Sequence, residues 1–356
     1  MNFGLITTRL KQSYHLSFAT IDKLDALWIL IEDDTGHIGL GETVPLPGYS
    51  KESLDSIVDT VRQVKSQIIG TTFSTAIKKM TLLSKQYPFS ASAVATALDF
   101  SDWTKKIKKI KPIELVYPIS SDANRNSIAA QIQNGLKSEY RHFKLKIGRD
   151  LKTDIDSAIF ALDELQKEEH TLRCDANQGY SNQEALEFCR SIEKQQNRNF
   201  LWLEQPLPQT NWNEIEYLCN RTTVPIMLDE SIYNQSDIYR AKSIGCEAIK
   251  LKLFKCAGLD ACLKLAVTAY TSGLKVVLGN GVASDIGNFC EALIIASEPK
   301  LFASGAECNG FIKLKNRLLF KDLDMHRGSL VWNGGGELCM KDIMKTLQNS
   351  SSRIFE

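Results

Sequence analysis

The chain has 356 residues, with 43 Lys and Arg against 42 Asp and Glu, and 43% of it is hydrophobic. That balance belongs to a folded globular chain large enough for one big domain and a smaller one, and it excludes disorder, collagen and coiled coil. A net charge of +1 provides no field to hold a polyphosphate, so nucleic acid is not expected as a partner. Apolar runs such as 26–31 and 293–296 fall far short of the ~20 residues of a membrane helix.

The opening residues lack the apolar stretch and small-residue cleavage site of a signal peptide. The nine cysteines are scattered without a CxxC pair, which reads as reduced thiols. A cytoplasmic location is expected.

In chain order, residues 2–11, 24–32 and 37–42 are short apolar or alternating runs. The last two are joined by Asp33-Asp34-Thr35-Gly36, a turn sequence that predicts an antiparallel hairpin. Helical patterns follow over 50–69 and 91–106, making 1–111 an α+β module. The Lys-rich stretch 105–111 reads as a solvated helix end before a domain junction.

After Pro112 the pattern changes. Apolar runs recur at 113–119, 142–147, 171–175, 200–204, 224–229, 247–253, 274–279 and 301–307. They start roughly 25 residues apart, about one strand plus one crossover helix each time. Ser181-Asn182-Gln183-Glu184 is a capping box that fixes the phase of one such helix. The expected fold class is therefore α/β, a (β/α)8-type TIM barrel over 112–315 with an N-terminal α+β capping domain. Residues 316–356, with a loop at Gly334-Gly335-Gly336, are expected to pack back on the cap.

Charges sit at one edge of this barrel. Lys144 and Lys146 lie two apart on one strand, Asp175, Glu204 and Asp229 end the next three, and Lys250 and Lys252 are again two apart. Burying that many charges is costly unless they pair or bind metal, and the carboxyl edge is where barrel active sites lie. Three carboxylates without His or Cys make a hard oxygen site suited to Mg²⁺, with Mn²⁺ as the substitute. Lysines on both flanks leave room for a small-molecule carboxylate. A lysine desolvated beside a cation titrates lower and can act as a base. The matching chemistry is removal of the proton α to a carboxylate, the charge of the resulting enolate being shared by metal and ammonium.

On these residues the chain resembles the enolase superfamily, and within it the muconate lactonizing enzyme subgroup. The likeness runs from Gly39-Leu40-Gly41-Glu42 through residues 93–99 to Glu307. The family's KxK stands here as Lys144-Leu145-Lys146, its DAN as Asp175-Ala176-Asn177, its EQP as Glu204-Gln205-Pro206 and its DES as Asp229-Glu230-Ser231. The resemblance implies Asp175, Glu204 and Asp229 as metal ligands, Lys146 as one acid/base lysine and Lys144 as a cation near the substrate carboxylate. The opposing lysine comes from KxxKxGG, here Lys252-Leu253-Phe254-Lys255-Cys256-Ala257-Gly258. Lys252 keeps the spacing to Gly258, and Lys250 competes for the role.

The resemblance also implies substrate contacts from Asn177, Glu307, Asn309 and Lys250, and from the cap loops at 17–20 and 45–50, which include Tyr49. Strand seven ends in Gly279-Asn280-Gly281-Val282-Ala283, where many relatives carry a glutamate at the last position. Strand eight ends in Glu307-Cys308-Asn309 where dipeptide epimerases carry DxD. The expected activity is racemisation or epimerisation of an amino-acid derivative or dipeptide. The alternatives are dehydration of the o-succinylbenzoate synthase type, muconate-type cycloisomerisation, and a non-catalytic binding barrel. A homo-oligomer is expected, as relatives commonly form one.

Overall fold

A computed structural model describes the chain except residues 16–19, 47–48, 108, 121–123, 166–168, 196–198, 318–322, 333–339 and 356. The cap loop at 17–20 thus falls outside the described residues but for Thr20, as does the Gly334–Gly336 loop.

Three strands open the chain, β1 (Asn2–His15), β2 (Thr20–Glu32) and β3 (Ile38–Thr43), paired antiparallel in that order. The β2–β3 turn is held by Asp33 Oδ1, which accepts from the amides of Thr35 (2.8 Å) and His37 (2.9 Å). Helix α1 (Leu54–Ile68) starts from a capping box at Ser53 and buries Ile57, Val61, Val64 and Ile68 at helical spacing. Helix α2 (Phe73–Leu83) has no counterpart in the sequence reading. It buries Ala76 and Met80 while Phe73 and Leu82 stand in solvent, so its apolar residues mark no single face.

Helix α3 (Pro88–Lys106) is buried almost all round. It lies against β3 at a distance only glycine permits. A Cβ at Gly39 would stand 1.7 Å from the Ala97 carbonyl oxygen, and one at Gly41 2.0 Å from that of Ala93. The small residues of the two segments thus bring helix and strand backbones together.

The barrel follows. Strands β5 (Val116–Ile119), β6 (His142–Lys146), β7 (Thr171–Asp175), β8 (Phe200–Glu204), β9 (Ile226–Leu228), β10 (Ala248–Leu251) and β11 (Lys275–Leu278) form one parallel sheet in sequence order. Between them run α4 (Arg125–Lys137), α5 (Leu151–Glu164), α6 (Asn182–Glu193), α7 (Trp212–Cys219), α8 (Gln235–Ser243) and α9 (Leu259–Thr271), with α10 (Asp285–Ser297) after β11. The expected capping box at Ser181 opens α6. Register sets the rows of side chains: Lys146 pairs with Asp175, and Asp175 with Glu204.

Two segments depart from the sequence reading. The run at 113–119 splits at Leu115. Only its second half is a barrel strand, and its first half belongs to β4 (Ile110–Glu114), which joins the hairpin β12 (Leu323–His326) and β13 (Ser329–Trp332) in a separate antiparallel sheet. Pro112 is tolerated there because β4 is an edge strand.

The run at 301–307 forms no strand. It bridges the sheet's two edges instead, through Ala303 N to Val276 O (2.8 Å) and Glu307 N to Leu278 O (3.1 Å) on one side and Val116 N to Ala306 O (3.0 Å) on the other. The left-handed turn at Gly305 (φ 80°) interrupts the extended backbone that a strand needs.

Beyond the short α11 (Gly310–Lys313) and the hairpin, α12 (Met340–Ser350) and β14 (Arg353–Phe355) return to the cap. Phe355 pairs with Phe3 of β1, and Trp28 Nε1 donates to Ser351 Oγ at 2.8 Å. Among the described residues no helix is long and apolar enough to cross a membrane.

Candidate active site

Each charged side chain at the barrel's carboxyl edge is placed by strand register. The two-residue period of β6 sends Lys144 and Lys146 to the same inward face, Lys144 one layer deeper. Asp175 and Glu204 end β7 and β8, Asp229 directly follows β9, and all three are fully buried. Lys250 points in from β10, and Lys252 leaves its end.

The backbone beyond these strands is unusual. Asn177 (φ 42°) and Gln205 (φ 36°) are left-handed without being glycine, a conformation that persists only where the surroundings enforce it. Gln205 supplies that enforcement. Its Oε1 accepts from the amides of Asp229 (2.9 Å) and Ser231 (3.2 Å), and its Nε2 donates to Ser231 Oγ (2.9 Å). One side chain therefore fixes where Asp229 stands.

The amines are distributed over the carboxylates. Lys144 Nζ lies 2.8 Å from Asp175 Oδ2, 2.9 Å from Glu204 Oε2 and 2.5 Å from Glu307 Oε1. Lys146 Nζ donates to Asp175 Oδ2 (2.6 Å) and Asn177 Oδ1 (2.7 Å). Lys250 Nζ reaches Glu204 Oε1 (3.2 Å), Asp229 Oδ2 (3.6 Å) and Glu307 Oε2. Lys252 Nζ sits 2.7 Å from Asp229 Oδ2 and hydrogen-bonds the hydroxyl of Tyr49, whose ring centroid is 3.9 Å away. That hydroxyl in turn donates to Glu230 Oε1 (3.2 Å) and Asp229 Oδ2 (3.3 Å).

This environment moves the titrations apart. Burial pulls the Lys252 ammonium below its usual range, with the neighbouring Lys250 and Lys255 acting the same way against the opposing pull of Asp229. Burial would do the same to Lys144 and Lys250, but the carboxylates around each outweigh it and hold both amines above the ordinary value. Asp175, Asp229 and Glu307 resist their own burial because lysines face them, and all three lie below the usual carboxylate range. At Glu230 the pull of Lys252 is outweighed. Burial, then the charges of Asp229 and Asp175, push it up to about 7.

The structure brings together Lys144, Lys146, Asp175, Asn177, Asp229, Lys250, Lys252, Glu307 and Tyr49 around a small cavity of about 20 Å³. Glu204 stands just behind, held by Lys144 and Lys250. Asn309 does not line the cavity. Its Nδ2 donates to the Val116 carbonyl (3.1 Å), which fixes it against the first barrel strand. A larger hollow of about 740 Å³, bordered by Glu114, Arg141, His170 and Arg327, opens beside the starts of β6 and β7 and contains none of these carboxylates.

Three participants escaped the sequence reading. Arg173, two residues before Asp175 and therefore on the same face, is hydrogen-bonded to Glu307 through its NH2 group; the period of two was the available signal. Lys255 donates to the Asp229 carbonyl (2.7 Å) and faces its Oδ1 (3.3 Å). Asn280 closes the strand-seven turn on itself, bonding both the amide and the carbonyl of Val282.

A divalent cation fits the chemistry of this set: three buried carboxylates on neighbouring strand ends, with Glu204 Oε2 lacking any aligned hydrogen bond. Among the described residues, no three acidic side chains stand close enough to hold an ion as they are now arranged, and amines occupy the space between them.

The sequence model of the family "Enolase C-terminal domain-like" matches residues 127–331. The N-succinyl-L-Arg/Lys racemase of Bacillus cereus is 24% identical over 293 residues, 78% of this chain and 78% of that protein. The D-Ala-D/L-Ala epimerase of Cytophaga hutchinsonii is 25% identical over 342 residues, 92% and 89% of the two chains. A dipeptide epimerase from Enterococcus faecalis, solved with Mg and the dipeptide L-Leu-L-Tyr, superimposes with a TM-score of 0.83 at 20% identity, covering 93% of this chain and 96% of that one. With more than half of its length matched, including every strand from β6 to β11 and the carboxylates they carry, the chain belongs to the enolase C-terminal domain-like family.

Proposed function

We propose that this protein is a Mg²⁺-dependent racemase or epimerase that removes and returns the proton α to the carboxylate of an amino-acid derivative or dipeptide. The observation that carries this reading is the opposition of two lysines. Lys146 on the β6 side is anchored to Asp175, Lys252 on the β10 side is anchored to Asp229, and the cavity lies between them. Amines on both sides of one carbon can take a proton from one face and deliver one to the other. The relatives named above, racemases and epimerases of such compounds, support the same reading.

Asp175, Glu204 and Asp229 are the residues that would hold the ion. Bound there, it would neutralise charge building on the substrate carboxylate. Lys144 supplies a fixed positive charge beside that carboxylate. Lys252, whose ammonium burial pulls below its usual range, and Lys146 share the roles of base and acid, one on each face of the α-carbon. Lys250, deeper and locked to Glu204 and Glu307, serves as a structural counter-charge, which favours Lys252 as the second base. Tyr49 closes the site from the cap. We further infer the division into a cap (1–111), a barrel (112–315) and a returning segment (316–356), with the chain working as a homo-oligomer.

The test is incubation with candidate N-acyl amino acids and dipeptides in deuterated water with Mg²⁺. A racemase returns substrate one mass unit heavier with mixed configuration. Loss of water, or conversion without deuterium uptake, would overturn the reading in favour of dehydration or cycloisomerisation.

A further inference from the structure

Among the described residues every cysteine is a free thiol, and Cys219, the last residue of α7, alone is not buried. Its Sγ lies 3.8 Å from the Sγ of Cys246, which leads into β10. Both sit at the amino end of the barrel strands, away from the charged carboxyl edge, and the α-proton chemistry uses neither.

Local turns bring the two together. Past α8 the chain turns at the left-handed Gly245 (φ 90°), where a Cβ would stand 3.6 Å from the Cβ of Cys219, an ordinary contact. Cys246 N then donates to Ala241 O (3.0 Å) and sends the chain into the strand. Bringing the sulfurs from 3.8 Å to a bond of about 2.05 Å is a small closure that rotation about the Cα–Cβ bonds supplies.

The hydrogen bond between the thiols makes them unequal. With Cys246 as donor, Cys219 lies below the usual thiol value against the effect of its burial, while the same bond and then burial hold Cys246 well above it. The half-buried sulfur is therefore the nucleophile and the buried one its resolving partner. Cys256 and Cys262 are also hydrogen-bonded neighbours, but both are buried, so an oxidant in solution meets Cys219 first.

We propose that Cys219 and Cys246 are a dithiol oxidation site that hydrogen peroxide converts to a disulfide. The Cys219 thiolate attacks one peroxide oxygen, the O–O bond breaks, and Cys219 becomes a sulfenic acid. The departing hydroxide takes up the proton that Cys219 gave up. Cys246 then attacks the Cys219 sulfur, the S–O bond breaks, and the hydroxyl leaves as water with the Cys246 proton. Two thiols lose two electrons to form one disulfide, and one peroxide is reduced to two waters. The closed loop contains β9, Asp229 and α8, so the bond fastens one strand and helix of the barrel at the end opposite its charges.

The experiment treats the full chain with a modest excess of hydrogen peroxide, blocks remaining thiols with iodoacetamide, and maps peptides by mass without reductant. A Cys219–Cys246 cross-link, lighter by two hydrogens than its separate peptides, is expected. Because a closed loop restricts the unfolded chain, the melting temperature should rise by roughly 3–6 °C and return with dithiothreitol. Cys219→Ser should abolish the cross-link and the rise. Cys246→Ser should stop at a Cys219 sulfenic acid that dimedone captures. A cross-link to any other cysteine, over-oxidation of Cys219 without a bond to Cys246, no oxidation of the pair, or a cross-link that does not raise the melting temperature overturns the proposal. If Cys246→Ser fails to fold, the peptide map of the unsubstituted chain against Cys219→Ser gives the same decision.

Discussion

The hydroxyl of Tyr49, from the cap, is hydrogen-bonded to the amine of Lys252, from the barrel, and the same amine rests 3.9 Å above the Tyr49 ring. One aromatic side chain thus holds and dehydrates the lysine assigned as a base. Tyr49→Phe keeps the ring and removes the hydroxyl, so Lys252 loses an anchor but not its cover. Exchange is expected to fall roughly 10- to 100-fold in kcat, the scale of a small misplacement of a reacting group, with the melting temperature nearly unchanged. Steady-state kinetics with calorimetric melting checks this.

Removing either flanking amine divides the reaction. Lys146→Ala and Lys252→Ala should each abolish racemisation, while one of the two still exchanges the α-proton of a single enantiomer with solvent. Circular dichroism establishes that the variants fold, and mass spectrometry of each enantiomer in deuterated water reads the exchange. Loss of all exchange in both folded variants would contradict a two-base site.

Metal removal should stop exchange, and Mg²⁺ should restore it. Asp229→Asn takes away a full ligand charge, so Mg²⁺ affinity should drop at least about tenfold, or ~1.4 kcal/mol. Titration calorimetry on the purified variant measures it, and an unchanged affinity would remove Asp229 from the ligand set.

Glu42, on β3, is half-buried against Ser284, accepting from its amide at 2.9 Å, and its partial burial raises its carboxyl to about 7 from an ordinary value of 4.5. The folded chain therefore binds a proton that the unfolded chain releases between those values. Stability from this group falls as pH rises through that window and levels off above it. The share is roughly 3 kcal/mol at most, at about 1.4 kcal/mol per unit. Glu42→Gln should lessen the fall, leaving the slope due to Asp99, Glu230 and Glu291, which burial raises in the same way. Urea unfolding at pH 5 and pH 8 on both proteins provides the comparison.

Much of this architecture was legible before any coordinates because its signals are local. The Asp33–Gly36 turn, the Ser181 box and the two-residue spacing of Lys144 and Lys146 each specify their own geometry. The charges at the strand ends were conspicuous because such residues have no place in a barrel interior without partners. What escaped depends on tertiary context. Helix α2 exposes the large apolar residues that periodicity relies on, and Leu115 divides one apolar run between two sheets because residues 323–332 supply a second partner. Nothing in the sequence near Arg173 marks it as part of the charge cluster, since its partner Glu307 lies more than a hundred positions away. The threefold engagement of Glu307 follows from closure of the sheet, which no local pattern encodes.

The segment carrying Glu307 bridges the barrel's open seam by a few scattered backbone bonds, whereas the carboxylates at 175 and 204 end staves zipped to a neighbour on either side. Residues can be exchanged, added or removed in such a seam without breaking a continuous ladder. A substitution beside Glu307 therefore disturbs fewer backbone bonds than one beside Asp175 or Glu204, so this seam is the part of the carboxyl edge that tolerates change most readily.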